Sequence, residues 1–142
     1  MTIMTPSEWR AFLSHGTRTA KVATVRPDGR PSVAPVWFVL DGDDLVFMTS
    51  NQTVKGKNIL HDPRVMISVD DETPPFAFVF IEGIAAVSDP PAAEKLDWAT
   101  RIAARYMGDA LAGAYGKRNA VEGELVFRVP LKKVTGRSGL SD

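Results

Sequence analysis

The apolar segment from Phe76 to Val87 limits the folds open to this chain more than any other feature. It is apolar at nearly every position, and the main interruptions are Glu82 and Gly83. A strand with alternating polar residues exposes one face to water, whereas a continuously apolar strand has to be covered on both faces. We therefore expect a sheet that curves into a barrel or meets a second copy of the chain, with Gly83 marking a bend.

Five other segments have the β-branched and aromatic composition of strands. Tight turns separate them, and Pro27–Arg30 is the clearest, since Pro fixes φ and Gly accepts positive φ. The predicted strands are Thr19–Arg26, Pro31–Leu40, Leu45–Thr49, Arg64–Asp70 and Leu125–Val134. Together with the long apolar segment they make six strands in one chain of 142 residues.

Pro35 lies inside one of these predicted strands. Because proline cannot donate to a sheet ladder, it indicates an edge, a bulge or a place where the sheet opens. Val36 and Trp37 follow directly. An aromatic side chain beside such an opening could support a planar ligand, although a large core side chain beside a bulge is the simpler interpretation.

Helices are predicted at two places outside the sheet. Thr5–Glu8 has the pattern of a capping box, and Gly16 ends the helix that follows. Ser88–Pro91 begins a second helix, whose apolar residues recur at helical spacing until Gly108. Asp109–Gly123 carries both helical and loop signals, so its structure stays open. The chain is thus predicted to be a single mainly β (α+β) domain over residues 1–142, a small barrel with helices outside.

The stretch from Thr49 to Leu60 follows a strand and gathers hydroxyl, amide and lysine side chains at a chain reversal. Hydroxyls and free N–H groups at a helix start favour an anion, and Lys55 and Lys57 add positive charge. A phosphate site is one interpretation. The other is a polar, capped surface turn with solvated lysines, because no Walker pattern is present.

Composition excludes several classes of function. Lys plus Arg and Asp plus Glu both number 17, which gives no support for nucleic-acid binding. The chain has no cysteine, and His15 and His61 are its only histidines, so thiol catalysis is excluded and a zinc enzyme is disfavoured. No apolar run reaches the ~20 residues that a membrane span needs, and we expect a cytoplasmic protein.

The order and spacing of several segments resemble a known family. The segments are Thr19–Val25, Asp28–Pro31, Pro35–Phe38, Lys55–Ile59 and Asp62–Val65. They resemble the split β-barrel family typified by pyridoxamine 5′-phosphate oxidase, and within it the actinobacterial oxidoreductases that depend on the deazaflavin coenzyme F420. The resemblance covers roughly residues 10–135. It implies a six-stranded split β-barrel that forms a homodimer, with cofactor sites at the subunit interface.

The resemblance also assigns roles to residues. It places the cofactor phosphate against Thr49, Ser50, Lys55, Lys57 and Asn58. It places the ring system along the strand that carries the residues Pro35, Val36 and Trp37. The implied reaction is hydride transfer from reduced F420 to an electron-poor small organic substrate, with no catalytic side chain and no metal. Alternatives are an FMN-dependent reductase or oxidase of the same fold, or a non-catalytic protein that carries a cofactor.

Overall fold

A computed structural model describes all residues from 1 to 142 as ten strands and four helices. The strands are β1 (Thr2–Ile3), β2 (Ala20–Val25), β3 (Pro31–Val36), β4 (Val39–Asp41), β5 (Asp44–Ser50), β6 (Arg64–Asp71), β7 (Ala77–Ile84), β8 (Ala86–Ser88), β9 (Glu124–Pro130) and β10 (Lys133–Ser138). The helices are α1 (Pro6–Ser14), α2 (Val54–His61), α3 (Ala92–Met107) and α4 (Asp109–Asn119).

The strands form two antiparallel sheets. One has the order β1-β10-β7-β6-β2-β3 and the other has the order β4-β5-β9-β8. The chain passes from one sheet to the other four times: between β3 and β4, between β5 and β6 through α2, between β7 and β8, and between β9 and β10. The predicted split-barrel fold is confirmed, but the structure has ten strands instead of six. Three predicted strands each divide in two where the chain changes sheet, and the short strand β1 was not predicted.

The first change of sheet explains the proline in its strand. Pro35 pairs with Lys21 of β2 on one side, and β3 is the edge strand of its sheet, so no second neighbour needs its missing N–H. Trp37 and Phe38 then carry the chain into β4 of the other sheet. The predicted opening of the sheet beside Pro35 is therefore confirmed.

The long apolar segment changes sheet at Ala85, two residues after the predicted bend at Gly83. A Cβ atom on Gly83 would lie 2.9 Å from Cγ1 of Val129, so β7 crosses β9 at a distance that only glycine allows. Burial on both faces of this segment, as predicted, is not found in the single chain. Val79 and Ile81 are fully buried, whereas Phe78 and Phe80 on the other face are half-buried and stack on each other.

The core fills the space between the two sheets. Phe47 and Phe127 stack at its centre with ring centroids 5.0 Å apart, and Phe38 is fully buried beside them. Trp9 and Leu13 of α1 cover one end. Burial of such large apolar side chains provides the main favourable free energy of folding.

Helices α3 and α4 form a packed pair on the four-stranded sheet. The predicted helix that ends at Gly108 is confirmed as α3, and α4 occupies the segment that sequence signals left open. The two helices touch at Gly116, where a Cβ atom would lie within 3.1 Å of the backbone of Thr100. This close contact fixes α4 beside the end of β3.

Candidate functional site

A cavity of about 300 Å³ lies where the first change of sheet meets the ends of the helices. The cavity has four walls. The end of β3 forms one, and the end of β5 with the start of α2 forms the second. The inner face of α3 with the end of α4 forms the third, and the start of β9 forms the fourth. The lining residues are Pro35, Val36, Trp37, Met48, Thr49, Lys55, Ala99, Ile102, Asn119 and Glu124. Apolar side chains supply half of this lining, a proportion that suits a flat organic molecule.

Five of the eight residues predicted to bind a cofactor line this one cavity. They are Pro35, Val36, Trp37, Thr49 and Lys55. Strand β3 and helix α2 are far apart in sequence, so the fold brings together the two segments on which the predicted ring and phosphate positions depend.

The other three predicted residues do not line the cavity. Ser50 continues β5 beyond Thr49, and its hydroxyl accepts a hydrogen bond from the N–H of Gln52 at 3.1 Å. Lys57 is exposed on α2. Asn58 is buried, and its Nδ2 donates to the hydroxyl of Thr24 at 3.0 Å, which ties α2 to the six-stranded sheet.

Thr53 sets the position of α2. Its hydroxyl caps the helix by accepting from the N–H of Gly56 at 3.1 Å, and it donates to the carbonyl of Ser50 at 2.9 Å. The hydroxyl of Thr49 lies 2.9 Å from that of Thr53, so the end of β5 and the first turn of α2 form one hydrogen-bonded unit.

Gly56 is necessary for this arrangement. A Cβ atom there would lie 2.2 Å from the carbonyl oxygen of Ser50 and 3.0 Å from the hydroxyl of Thr53. The space that a side chain would need is therefore occupied by the chain itself and does not open to a ligand.

Lys55 brings an unpaired positive charge to the cavity. Three other lysines form ion pairs, namely Lys21 with Asp70, Lys95 with Asp89 and Lys133 with Glu82. Lys55 has no such partner, and the first turn of α2 contains no acidic residue. An anion at this position would meet both the ammonium group and the positive end of the helix dipole.

The aromatic wall of the cavity is held by α3. The indole of Trp37 stacks on the ring of Tyr106, with centroids 5.1 Å apart and 4° between the planes. The hydroxyl of Tyr106 accepts from the N–H of Phe38 at 3.1 Å and donates to the carbonyl of Arg18 at 2.8 Å. Burial raises the pKa of Tyr106, which keeps its phenol protonated and able to donate.

Arg105 fixes the same stretch from the other side. Its guanidinium donates to the carbonyls of Phe38 at 2.9 Å, Leu13 at 2.7 Å and Gly16 at 3.0 Å. Burial lowers the pKa of this guanidinium, and three carbonyl acceptors compensate for the water it has lost. The change of sheet beside Trp37 is consequently rigid.

Glu124 is the second charged side chain of the cavity. It begins β9 and pairs in register with Ser50 of β5. Burial raises the pKa of its carboxyl, although Lys55 and Lys95 act in the opposite direction.

Half of the lining was not predicted from sequence as part of a site. These residues are Met48, Ala99, Ile102, Asn119 and Glu124. Ala99 and Ile102 were recognised as the apolar face of a helix, but helical spacing does not tell which part of a barrel that face covers. Asn119 lies within the segment whose structure stayed open and Glu124 directly follows it, so no pattern could place them.

The chain offers limited chemistry of its own. No group of three or more His, Asp or Glu side chains stands close enough to hold a metal ion. None of the four helices combines the length and apolar character needed to cross a bilayer. The cavity contains a cation, a carboxylate, an aromatic wall and apolar side chains, which together suit binding better than acid–base catalysis.

Comparison with known proteins agrees with this architecture. The sequence profile described as pyridoxamine 5′-phosphate oxidase matches residues 5–136. The structure is similar to that of a conserved hypothetical protein from Mycobacterium tuberculosis, Rv2991, with a TM-score of 0.81 and 22% identity over 97% of this chain and 87% of that one.

Two further structures share the fold. An F420 reductase is 26% identical, over 87% of this chain and 94% of that one, with a TM-score of 0.66. HutZ, a heme storage protein from Vibrio cholerae, is 17% identical over 96% of this chain and 98% of that one, with a TM-score of 0.73.

Proposed function

The chain belongs to the pyridoxamine 5′-phosphate oxidase family, and we propose that it is an oxidoreductase that binds the deazaflavin coenzyme F420. The proposed reaction transfers a hydride to an electron-poor organic substrate. One observation carries the proposal: Lys55, an unpaired cation, and Trp37, an aromatic wall, line the same cavity. A phosphate-bearing tricyclic ring needs both features in one place. The similarity to an F420 reductase supports this choice of cofactor.

In this proposal the phosphate binds at the start of α2. The ammonium of Lys55 supplies a charge-assisted hydrogen bond, and the hydroxyl of Thr49 lies on the same wall. Ser50 and Lys57 remain proposed phosphate-binding residues by family resemblance. The resemblance lets Asn58 fix either the phosphate or the turn. Because its amide already donates to Thr24, we propose that it fixes the turn and holds α2 in place.

The ring lies along the strand end formed by Pro35, Val36 and Trp37. Tyr106 covers one face of the Trp37 indole, and the ring of Tyr115 lies tilted beside it with its centroid 6.4 Å away. A planar ligand would contact the part of the indole that lines the cavity. Ile102 and Ala99 of α3 add apolar surface, which removes water from the region where the ring would lie.

The bound deazaflavin supplies the hydride, and the chain contributes orientation, shielding and charge balance. Lys55 fixes the tail and Trp37 fixes the ring, so the position of the cofactor in the cavity is determined at two points. Holding donor and acceptor at reactive distance is itself a large contribution to the rate. The proposed hydride transfer requires no side-chain nucleophile or base.

We further propose that two copies of the chain form a homodimer that completes the site. The outer face of the six-stranded sheet leaves apolar side chains uncovered, including Phe78 and Phe80 of β7. Met66 of β6 is 41% exposed and Val33 of β3 is 67% exposed. Apolar side chains exposed on one face of a sheet suit an interface with a second copy.

Two alternatives keep the same cavity. FMN also has a tricyclic ring and a phosphate, so the residues described here would suit an FMN-dependent reductase or oxidase. A non-catalytic carrier is the other alternative, and the fold of a heme storage protein shows a similar barrel in a protein named for storage. Such a carrier would bind its ligand without turnover.

Parallel titrations with F420 and FMN test the proposal. The purified protein is titrated with each cofactor by fluorescence, and the absorption spectrum shows whether it retained a flavin. Saturable binding of F420, stronger than binding of FMN, is the expected result. Reduced cofactor is then offered with quinones, enones and tetrapyrroles. Oxidation of the cofactor by one class identifies an enzyme, and binding without oxidation by any of them supports the carrier.

A further inference from the structure

Glu124 places a carboxylate in a cavity that otherwise suits an anion. A phosphate lying directly against this group would be repelled, because both are negative at neutral pH. Lys55 and Glu124 line the same cavity without forming an ion pair. The charge of Lys55 acts on Glu124 through space, but its ammonium makes no hydrogen bond to the carboxylate.

No side chain of the protein hydrogen-bonds to the Glu124 carboxylate. Lys95 of α3 is the other cation that acts on it, but its ammonium already donates to Asp89 at 2.7 Å. An ionised carboxylate is acceptor-only and has room for several donors. Because the Glu124 carboxylate is half-buried, a hydrogen-bond donor on a ligand would stabilise its charge.

The backbone holds Glu124 firmly. It pairs with Ser50 in the β5–β9 ladder, and the preceding carbonyl of Gly123 accepts from the N–H of Asn51 at 2.8 Å. Gly123 has a φ of 91°, and a Cβ atom there would lie 3.2 Å from Oδ1 of Asn51. The turn that leads into Glu124 is thus built around a glycine, and the carboxylate occupies a defined place beside the start of α2.

The charges around Glu124 limit what its partner can be. A cationic group of the ligand would be repelled by Lys55, and an anionic group would be repelled by Glu124 itself. Neutral donors avoid both penalties. Hydroxyl groups are the neutral donors that a flavin-type ligand carries between its ring and its phosphate.

We propose that Glu124 is a specificity-determining residue that accepts hydrogen bonds from the hydroxylated chain of the ligand, next to the phosphate held by Lys55. The inference rests on the proposed function and extends it. The site then recognises three parts separately: ring by Trp37, hydroxylated chain by Glu124 and phosphate by Lys55. A bare phosphate or a ring without the chain would bind weakly.

The test compares three ligands that share the tricyclic ring bound by the wild-type protein. They are the phosphate-bearing form, the form that keeps the hydroxylated chain without phosphate, and the ring with a methyl group in place of the chain. In the flavin series these are FMN, riboflavin and lumiflavin. Dissociation constants are measured for the wild type and for the variants Glu124→Ala, Glu124→Gln and Lys55→Ala.

The expected result separates the two charged residues. The wild type prefers the hydroxylated form over the methylated ring by about tenfold, since a charge-assisted hydrogen bond is involved. Glu124→Ala removes most of this preference, and Glu124→Gln keeps part of it because an amide oxygen still accepts. Lys55→Ala leaves this preference unchanged and removes the preference for phosphate. Inorganic phosphate should displace the ligand from Glu124→Gln at lower concentration than from the wild type, because the repulsion by the carboxylate is removed.

Two results would overturn the inference, and they are distinguishable. An unchanged preference for the hydroxylated form in Glu124→Ala would remove Glu124 from recognition while leaving the proposed cofactor in place. A wild-type protein that binds neither F420 nor any of these flavins would overturn the proposed function and this inference together. Thermal unfolding of each variant shows that a loss of binding is not a loss of folded protein.

Discussion

The ring of Tyr106 lies parallel to the indole of Trp37, with the ring centroids 5.1 Å apart. Its hydroxyl bridges the backbone N–H of Phe38 and the backbone carbonyl of Arg18. One residue of α3 thereby supports the aromatic wall of the cavity and the backbone that carries it. Since Phe38 follows Trp37 directly, a shift of this helix would move the wall as well. The position of α3 and the position of the aromatic wall are linked at this point.

Tyr106→Phe should destabilise the protein while keeping the stacked ring. The change leaves the N–H of Phe38 and the carbonyl of Arg18 without their partner. An unsatisfied buried group costs about 1–3 kcal/mol, so the midpoint of urea unfolding should fall accordingly. Tyr115→Phe is the matched control, because the Tyr115 hydroxyl makes no such bridge. Equal midpoints for Tyr106→Phe and the wild type would show that the bridge contributes nothing.

Trp37→Leu should weaken cofactor binding by about three- to tenfold, which is the range expected when an aromatic contact is lost. It should also remove most of the change in tryptophan fluorescence that accompanies binding. The chain has three tryptophans, and Trp9 of α1 is buried in the core. Trp9→Phe serves as the control and should keep the fluorescence response. A response that persists in Trp37→Leu would place the ring elsewhere.

Gly56→Ala should destabilise the protein by more than about 1 kcal/mol, because its Cβ would overlap the carbonyl of Ser50. Gly113→Ala is the control in α4, where a Cβ would meet no atom within 4 Å. There the substitution should stabilise by about 0.5–1 kcal/mol through helix propensity. Differential scanning calorimetry of the two variants measures both effects. Similar melting temperatures would contradict the close packing at the start of α2.

Glu124→Gln should change the pH dependence of stability. Burial raises the pKa of Glu124 above its ordinary value of 4.5, so the folded protein binds this proton more tightly than the unfolded chain. The resulting stabilisation is complete below pH 4.5 and is lost as pH rises through the folded pKa. Glutamine cannot ionise.

The variant should therefore be more stable than the wild type at neutral pH, and the difference should shrink on acidification. Urea unfolding at a series of pH values measures this difference in the free energy of unfolding. Glu122→Gln, at an exposed position, is the control. A difference that grows on acidification would show a carboxyl whose pKa is lowered.

Strands and turns could be read from the sequence wherever a local pattern dictates them. Pro35 revealed the opening of the sheet because proline cannot pair on both sides, and Thr53 begins a helix because its hydroxyl can cap one. The three changes of sheet that divide a predicted strand were less visible. At Ala85 the chain keeps strand composition on both sides of the break, so periodicity alone merges β7 and β8 into one strand.

The cavity could be predicted only in part for a similar reason. Lys55 and Trp37 stand out by residue type, whereas Glu124 becomes significant only when β9 pairs with β5. Lys57 shows that residue type alone does not identify a residue of the cavity. Both lysines fit the same sequence pattern, but α2 directs Lys55 into the cavity and leaves Lys57 exposed.

The most direct test of the central claim is the affinity for F420 of the wild type, Lys55→Ala and Lys57→Ala, measured by fluorescence titration. We predict saturable binding by the wild type and binding weaker by about tenfold to a hundredfold in Lys55→Ala, since one charge-assisted hydrogen bond is lost. Lys57→Ala should have a smaller effect, because Lys57 does not line the cavity of this chain. Equal affinities of the wild type and Lys55→Ala would contradict the claim that this cavity binds the phosphate of a redox cofactor.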